Sequence, residues 1–173
     1  MRIERMTTLE HPLYERAMEL YRGSFPPHEL REEPSQQKIL SDPAYHFDLL
    51  FDGGQFVGEV LYWEIAGFFY IEHFCILPEL RNRHYGQAAL ELLHSTPLIL
   101  EIDPPVDAIS IRRKGFYERC GFVPNPYRHI HPPYHRGNSG HELVVMSYPA
   151  PLTQEQYDAF YHGLTDMVMK DVF

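Results

Sequence analysis

The stretch that most constrains this chain joins an apolar run to an amphipathic helix through a short basic turn. The run Phe68–Ile76 is rich in aromatic and β-branched residues, which indicates a strand. From Tyr85 to Leu93 the apolar residues then recur at helical spacing. A helix that opens near Gly86 offers unpaired N–H groups and the positive end of its dipole, which predicts a phosphate site. An ordinary strand–loop–helix connection with solvated arginines is the alternative.

Composition predicts a globular protein and excludes several classes. The 173 residues are 44% hydrophobic, enough to bury a core, and we expect one domain over residues 1–173. No apolar run reaches the ~20 residues of a membrane helix, and the N-terminus lacks a signal-peptide pattern. Cys75 and Cys120 fall in strand and helix patterns, which is typical of buried thiols in a cytoplasmic protein. A net charge of -9 argues against nucleic-acid binding.

The other patterns predict an α+β fold. Two strands, Tyr45–Phe51 and Gln55–Trp63, precede Phe68–Leu77 and form an antiparallel meander with it. A buried strand over Pro97–Ile102 follows the helix, so it should pair in parallel with the strand before that helix. A final helix over about 153–173 begins at a capping box. Its apolar face either covers the chain's own core or forms a homodimer.

A second motif follows about 30 residues after the first, Phe116-Tyr117-Glu118-x-x-Gly121-Phe122. The ordered pair of motifs, with a strand and a helix between them, resembles the GNAT superfamily of acyl-CoA-dependent N-acetyltransferases. The resemblance covers roughly residues 45–148. It implies the GNAT fold, a central mixed and mostly antiparallel sheet flanked by helices, with acetyl-CoA as cosubstrate.

The first motif matches the family pattern in two registers. Arg83-x-x-Gly86-x-Ala88 matches it literally, whereas the distance from Pro78 favours Arg81-x-x-His84-x-Gly86. We prefer the second register, in which His84 replaces a glycine and must accept a left-handed conformation. The resemblance then implies cofactor contacts from the end of the strand, the turn and the second motif. These residues are Phe74, Cys75, Ile76, Arg81, Asn82, Arg83, His84, Tyr85, Gly86, Gln87 and Ser110.

The resemblance also implies catalytic roles. Tyr117 occupies the position of the family's general acid, which protonates the leaving thiolate. Glu72 lies on the strand beside the acyl site among aromatic residues, so a raised pKa and a role as general base are expected. Glu101, at the end of the next strand, is the competing base. The alternative for Glu72 is an ion pair with Arg112 or Arg113, and strand alternation places His73 on the opposite face.

The acceptor implied by the resemblance is an amine of a small molecule or a protein. Glu29, Glu101 and Tyr134 are the candidate residues that contact it. The segment 129–141 holds His129, His131, His135 and His141. Its two prolines and its lack of an acidic residue argue against a preformed zinc site, so no metal is expected and the segment should form a wall of the acceptor site with Tyr134. Two rival functions remain, a non-catalytic acyl-CoA-binding module of the same fold and a metal-binding protein built on this histidine-rich segment.

Overall fold

A computed structural model describes all residues from 1 to 173, and it contains eight strands and five α-helices. The strands are β1 (Arg2–Met6), β2 (Tyr45–Asp52), β3 (Gln55–Ile65), β4 (Phe68–Ile76), β5 (Leu98–Ile102), β6 (Val123–Pro124), β7 (His129–His131) and β8 (His141–Tyr148). The helices are α1 (Tyr14–Ser24), α2 (Glu33–Ile39), α3 (Tyr85–Leu93), α4 (Ala108–Arg119) and α5 (Gln154–Gly163). A short 3-10 turn, Pro27–Glu29, precedes α2.

The strands form one mixed sheet in the order β1-β2-β3-β4-β5-β8-β6, with β7 paired to β8. Every pair is antiparallel except β4 and β5, which are joined through α3 and run parallel. The expected α+β fold, the meander of β2 to β4 and the parallel return of β5 are therefore confirmed.

Two apolar clusters lie on opposite faces of the sheet. Strand alternation divides β2 between them, since Phe47 and Leu49 enter one cluster and Leu50 the other. Helices α1, α2 and α5 cover the first face with buried residues such as Tyr21 and Phe160. Helix α3 covers the second face, together with the aromatic residues at the end of α4. The sheet is thus covered on both faces.

A β-bulge interrupts β4 at Glu72. Leu61 of β3 pairs with His73 and Tyr62 pairs with Ile71, so Glu72 has no partner on β3. The extra residue breaks the alternation of faces, and both Glu72 and His73 contact the cluster that contains Tyr134. The prediction that His73 faces away from Glu72 is therefore wrong, because a period-2 pattern does not survive a bulge.

The last part of the chain is helical over a shorter range than predicted. Helix α5 has the expected Thr153–Gln156 capping box but ends at Gly163, and a π-helical turn follows at Leu164–Val168. Its apolar face packs into the chain's own core through Tyr157, Phe160 and Leu164. None of the helices combines the length and the apolar character needed to cross a membrane.

Candidate active site

A large cavity opens where β4 and β5 separate. The two strands pair only from Phe69–Leu98 to Ile71–Leu100, so beyond the bulge β4 has no strand partner on its β5 side. The resulting cavity of about 970 Å³ is lined by the ends of both strands, the turn before α3, one face of α4 and the histidine-rich segment. Phe74, Cys75 and Ile76 of β4 line it as expected. A free strand edge of this kind offers backbone groups to a bound ligand.

The turn before α3 holds two residues in the left-handed conformation. Asn82 has φ 61° and His84, the N-cap of α3, has φ 63°. No backbone N–H from 82 to 87 finds an acceptor within the chain, whereas the N–H of Ala88 donates to the His84 carbonyl. Free N–H groups at the start of a helix form an anion site. The geometry favours the register in which His84 stands at the glycine position.

Gly86 lies inside the first turn of α3 and packs closely against Phe116 of α4. A Cβ atom added to it would lie 3.1 Å from Cζ of Phe116 on α4, so the glycine lets the two helices approach. Arg81 lines the cavity, and its Nε donates to the Ile76 carbonyl at 3.2 Å. Arg83 is not among the residues that line the cavity, so its predicted contact with the cofactor is not supported by this arrangement.

Tyr117 lies on the α4 wall of the cavity. Its ring packs against Phe116 and Phe122, while its hydroxyl makes no hydrogen bond within the chain. Burial raises the pKa of Tyr117 to about 12, and Arg113 lowers it only in part. The hydroxyl is therefore protonated at neutral pH and can donate to a group that enters the cavity.

Known proteins share the family and the fold of this chain. The model of the acetyltransferase (GNAT) family matches residues 11–122. The chain belongs to the GNAT acetyltransferase family. A protein from Bacteroides thetaiotaomicron assigned to the same family superimposes on it with a TM-score of 0.91 and 31% identity, and the match covers 98% of each chain. No curated protein sequence matches this chain.

More distant GNAT structures share the fold of this acetyltransferase. An aminoglycoside 6'-N-acetyltransferase solved with coenzyme A has a TM-score of 0.60 and 13% identity, covering 89% of this chain and 100% of its own. The ribosomal-protein-S18-alanine N-acetyltransferase of Escherichia coli has a TM-score of 0.56 and 17% identity, covering 89% and 97%. At these identities the likeness concerns the fold alone.

In this GNAT acetyltransferase Glu72 is an ionised, fully paired carboxylate. Its side chain is 1% exposed and lies 3.1 Å from Nη2 of Arg31, which is 0% exposed. Trp63 Nε1 donates to it at 2.8 Å and the Tyr134 hydroxyl at 2.9 Å. Burial alone would raise its pKa, but Arg31 and these donors outweigh burial and lower it. The prediction of a raised pKa is therefore wrong, and the alternative, an ion pair with Arg112 or Arg113, is replaced by the pair with Arg31.

Glu101 is also buried and saturated with donors. The Tyr70 hydroxyl donates to its Oε2 at 2.6 Å, and Nε2 of His129 contacts its Oε1. Nε2 of His131 lies 3.8 Å from Oε2. Burial raises the pKa of Glu101, but the two imidazoles and the hydroxyl outweigh burial and lower it. Like Glu72, it is ionised and poorly suited to accept a proton at neutral pH.

Ser110 has a structural role instead of the predicted cofactor contact. Its hydroxyl donates to the Asp107 carbonyl and accepts from the Asp107 N–H, each at 3.1 Å, in the capping box that starts α4. It is 4% exposed and does not line the cavity. This arrangement does not support the predicted cofactor contact of Ser110, because the side chain satisfies the first turn of its own helix.

The histidine-rich segment divides between the core and the cavity rim. His129 and His131 share one face of β7, as expected for an extended chain, and both point at Glu101. His135 donates from Nε2 to the Pro27 carbonyl at 2.9 Å. Tyr134 lines the cavity beside Pro132 and Pro133. The segment therefore forms a wall of the cavity, as predicted, and does not gather its imidazoles around one point.

Glu29 also lines the cavity. It belongs to the Pro27–Glu29 turn, which lies beside His141 at the start of β8, and burial next to Asp103 raises its pKa. The backbone of the turn is fixed, because Nε2 of His73 donates to the Glu29 carbonyl at 2.9 Å. Arg31 and His73 were not assigned roles from the sequence, since only the fold brings the turn and β4 together.

His84 provides a direct test of the turn. We expect His84→Gly to bind acetyl-CoA at least as tightly as the wild type, because glycine adopts positive φ without strain. His84→Val should weaken binding about tenfold, since a β-branched residue in this conformation costs about 1–2 kcal/mol. Titration calorimetry measures both, with thermal unfolding as a check on folding. Equal affinities for the two variants would contradict the role of the turn.

Proposed function

We propose that this protein is an N-acetyltransferase that transfers the acetyl group of acetyl-CoA to a primary amine of a small molecule or protein by direct attack. The main support is the juxtaposition of three features around one cavity: the free N–H groups of 82–87, the unpaired edge of β4 and the unbonded Tyr117 hydroxyl. An anion site, a strand edge and an acid are what binding and cleavage of a thioester require.

In the proposed reaction the pyrophosphate of acetyl-CoA occupies the turn before α3, and the thioester extends along β4 past Ile76 and Phe74. The amine nitrogen attacks the thioester carbon, whose oxygen is held by N–H groups on the free edge of β4. The C–S bond breaks, and the departing thiolate takes the proton of Tyr117. The nitrogen releases one proton to water as the amide forms. Solvent then reprotonates Tyr117.

In this proposal neither Glu72 nor Glu101 is the general base. Both are ionised and each accepts from two or more neighbours, so neither is free to take up a proton. We therefore propose that Glu72, which the sequence suggested as a base, instead holds Tyr134 in place as part of the acceptor wall.

The acceptor side favours a cationic substrate. Four carboxylates line it, those of Glu29, Glu72, Glu101 and Asp103. The arginines without a carboxylate partner lie on the turn before α3 and on α4, at Arg81, Arg112 and Arg119. Arg31 neutralises Glu72 and Arg113 pairs with Asp103 at 2.7 Å, so Glu29 is the carboxylate with the weakest pairing. An acceptor that carries a second positive charge would be attracted to Glu29.

The deciding experiment combines acetyl-CoA calorimetry with an assay of thiol release across a panel of amines. The proposal predicts micromolar binding of acetyl-CoA and amine-dependent release of free CoA. Binding without release for any amine, including peptide N-termini and lysines, would favour the non-catalytic acyl-CoA-binding module. Absence of binding would overturn both functions.

Glu29→Gln should raise KM for amines with a second cation by roughly three- to tenfold, because a charged contact of about 1 kcal/mol is lost. Singly charged amines of similar size should change little. Glu19→Gln, at an exposed position on α1 whose side chain forms no hydrogen bond or ion pair, is the matched control. Equal effects on both kinds of amine would remove Glu29 from acceptor selection.

A further inference from the structure

Three potential metal ligands converge at the rim of the cavity. His28 and Glu29 belong to the Pro27–Glu29 turn, and His141 is the first residue of β8. One ligand atom from each lies within 4.8 Å of the other two. The two parts of the chain are far apart in sequence, so the convergence results from the fold and not from local spacing.

The side chains of this His28–Glu29–His141 cluster are free to bind a ligand. None of them makes a side-chain hydrogen bond within the chain, and the nearest charged contacts are long, at 3.6 Å between His28 and Glu29. His141 lies 3.6 Å from Asp103, whose other oxygen is held by Arg113. Two imidazoles and a carboxylate are a common zinc ligand set that leaves a fourth position open.

The backbone under the cluster is already anchored. His73 donates to the Glu29 carbonyl and His135 to the Pro27 carbonyl, each at 2.9 Å, so the turn is held on both sides of His28. Zinc bonds of about 2.0–2.1 Å place tetrahedral ligands roughly 3.4 Å apart. The side chains of His28 and His141, 55% and 39% exposed, can make the required shift by rotation without movement of the turn.

We propose that His28, Glu29 and His141 form a site for a divalent transition-metal ion, with Zn²⁺ as the preferred ion, at the entrance for the acceptor. The bound ion would use the Glu29 carboxylate and link the Pro27–Glu29 turn to β8. It therefore occupies the position proposed for the cationic group of the acceptor. The overlap between the metal and the acceptor rests on the proposed function, whereas metal binding itself does not.

The binding test uses Zn²⁺ calorimetry and the visible spectrum of the Co²⁺-loaded protein. We expect one Zn²⁺ per chain, and tetrahedral Co²⁺ bands without the thiolate charge-transfer band that Cys75 or Cys120 would produce. His28→Ala and His141→Ala should each weaken binding at least tenfold. His162→Ala, which removes an exposed histidine of α5 outside the cavity, should bind as the wild type does. Weak binding that is equal in all four proteins would overturn the site.

The kinetic test measures Zn²⁺ inhibition of acetyl transfer. Zn²⁺ should raise KM for the amine and leave KM for acetyl-CoA unchanged, and His141→Ala should abolish the inhibition. Metal binding that depends on His28 and His141 but is not competitive with the amine would overturn the overlap with the acceptor. If no amine is acetylated, the proposed function fails, while calorimetry and the Co²⁺ spectrum still decide the metal site.

Discussion

Arg31→Met is expected to lower the free energy of unfolding by about 3–5 kcal/mol, since removing one partner of a buried ion pair leaves the other charge unpaired. Arg31 and Glu72 are 0% and 1% exposed and lie 3.1 Å apart. Arg31 also donates from Nη2 to the Val168 carbonyl at 2.5 Å, which attaches the C-terminal turn to the segment before α2. Chemical denaturation monitored by the fluorescence of Trp63 measures the loss.

A double-mutant cycle distinguishes this pair from simple loss of packing. Glu72→Met alone should also be strongly destabilising, whereas Arg31→Met combined with Glu72→Met should cost less than either single change, because no buried charge remains. Lys38→Met, which breaks an exposed pair with Asp171, is the control and should change stability by less than 1 kcal/mol. A double variant that loses the sum of both single effects would contradict the prediction.

The pair should also make stability depend on pH in one direction. The folded protein holds the pKa of Glu72 below its ordinary value, so the unfolded chain binds the proton more readily. The stabilisation is therefore complete at neutral pH and is lost as the pH falls through about 4.3 and below. The difference in stability between the wild type and Glu72→Gln should shrink over this acidic range.

Tyr117→Phe is expected to lower kcat at least tenfold and to leave the affinity for acetyl-CoA unchanged. The change removes the hydroxyl that faces the cavity and retains the ring that packs against Phe116 and Phe122. Loss of a positioned general acid typically costs roughly 10²–10⁴ in rate, and an alternative donor such as water reduces that loss. Steady-state kinetics and acetyl-CoA calorimetry separate the two effects.

Tyr161→Phe is the matched control, because its hydroxyl contacts the Ile130 carbonyl and lies outside the cavity. Its kcat should equal that of the wild type. Because burial raises the pKa of Tyr117 to about 12, its ionisation should produce no loss of kcat near neutral pH. An unchanged kcat in Tyr117→Phe would exclude the tyrosine as the acid.

Most of the fold followed from local patterns. The local patterns predicted elements close to those observed: the periodicity of Phe68–Ile76 and Tyr85–Leu93, the meander that begins with Tyr45–Phe51, and the Thr153 capping box. These signals are reliable because each depends on residues that are neighbours on one strand face, one helix face or one turn. Boundaries were less accurate at the C-terminus, where the apolar face of α5 continues through a π-helical turn that keeps Leu164 and Val168 in the core.

The cofactor side of the site could also be anticipated from the sequence, because it is built from one contiguous turn. The order of residues from Arg81 to Gln87 places them at the start of α3, and the left-handed conformation expected of His84 is observed. The predicted cofactor contact of Ser110 has no support in the fold, since a serine three residues after Asp107 caps its own helix. The position of Tyr117 on the cavity wall could be anticipated, because it depends only on local spacing along α4.

The acceptor side was decided by tertiary structure alone. By itself the sequence determined the strands, the helices and the phosphate turn, all of which depend on spacing over a few residues. It did not determine that Arg31 pairs with Glu72, that a bulge turns Glu72 and His73 to one face, or that His28 meets His141. These contacts join distant segments, and the pKa of a buried carboxylate depends on which charge the fold places beside it.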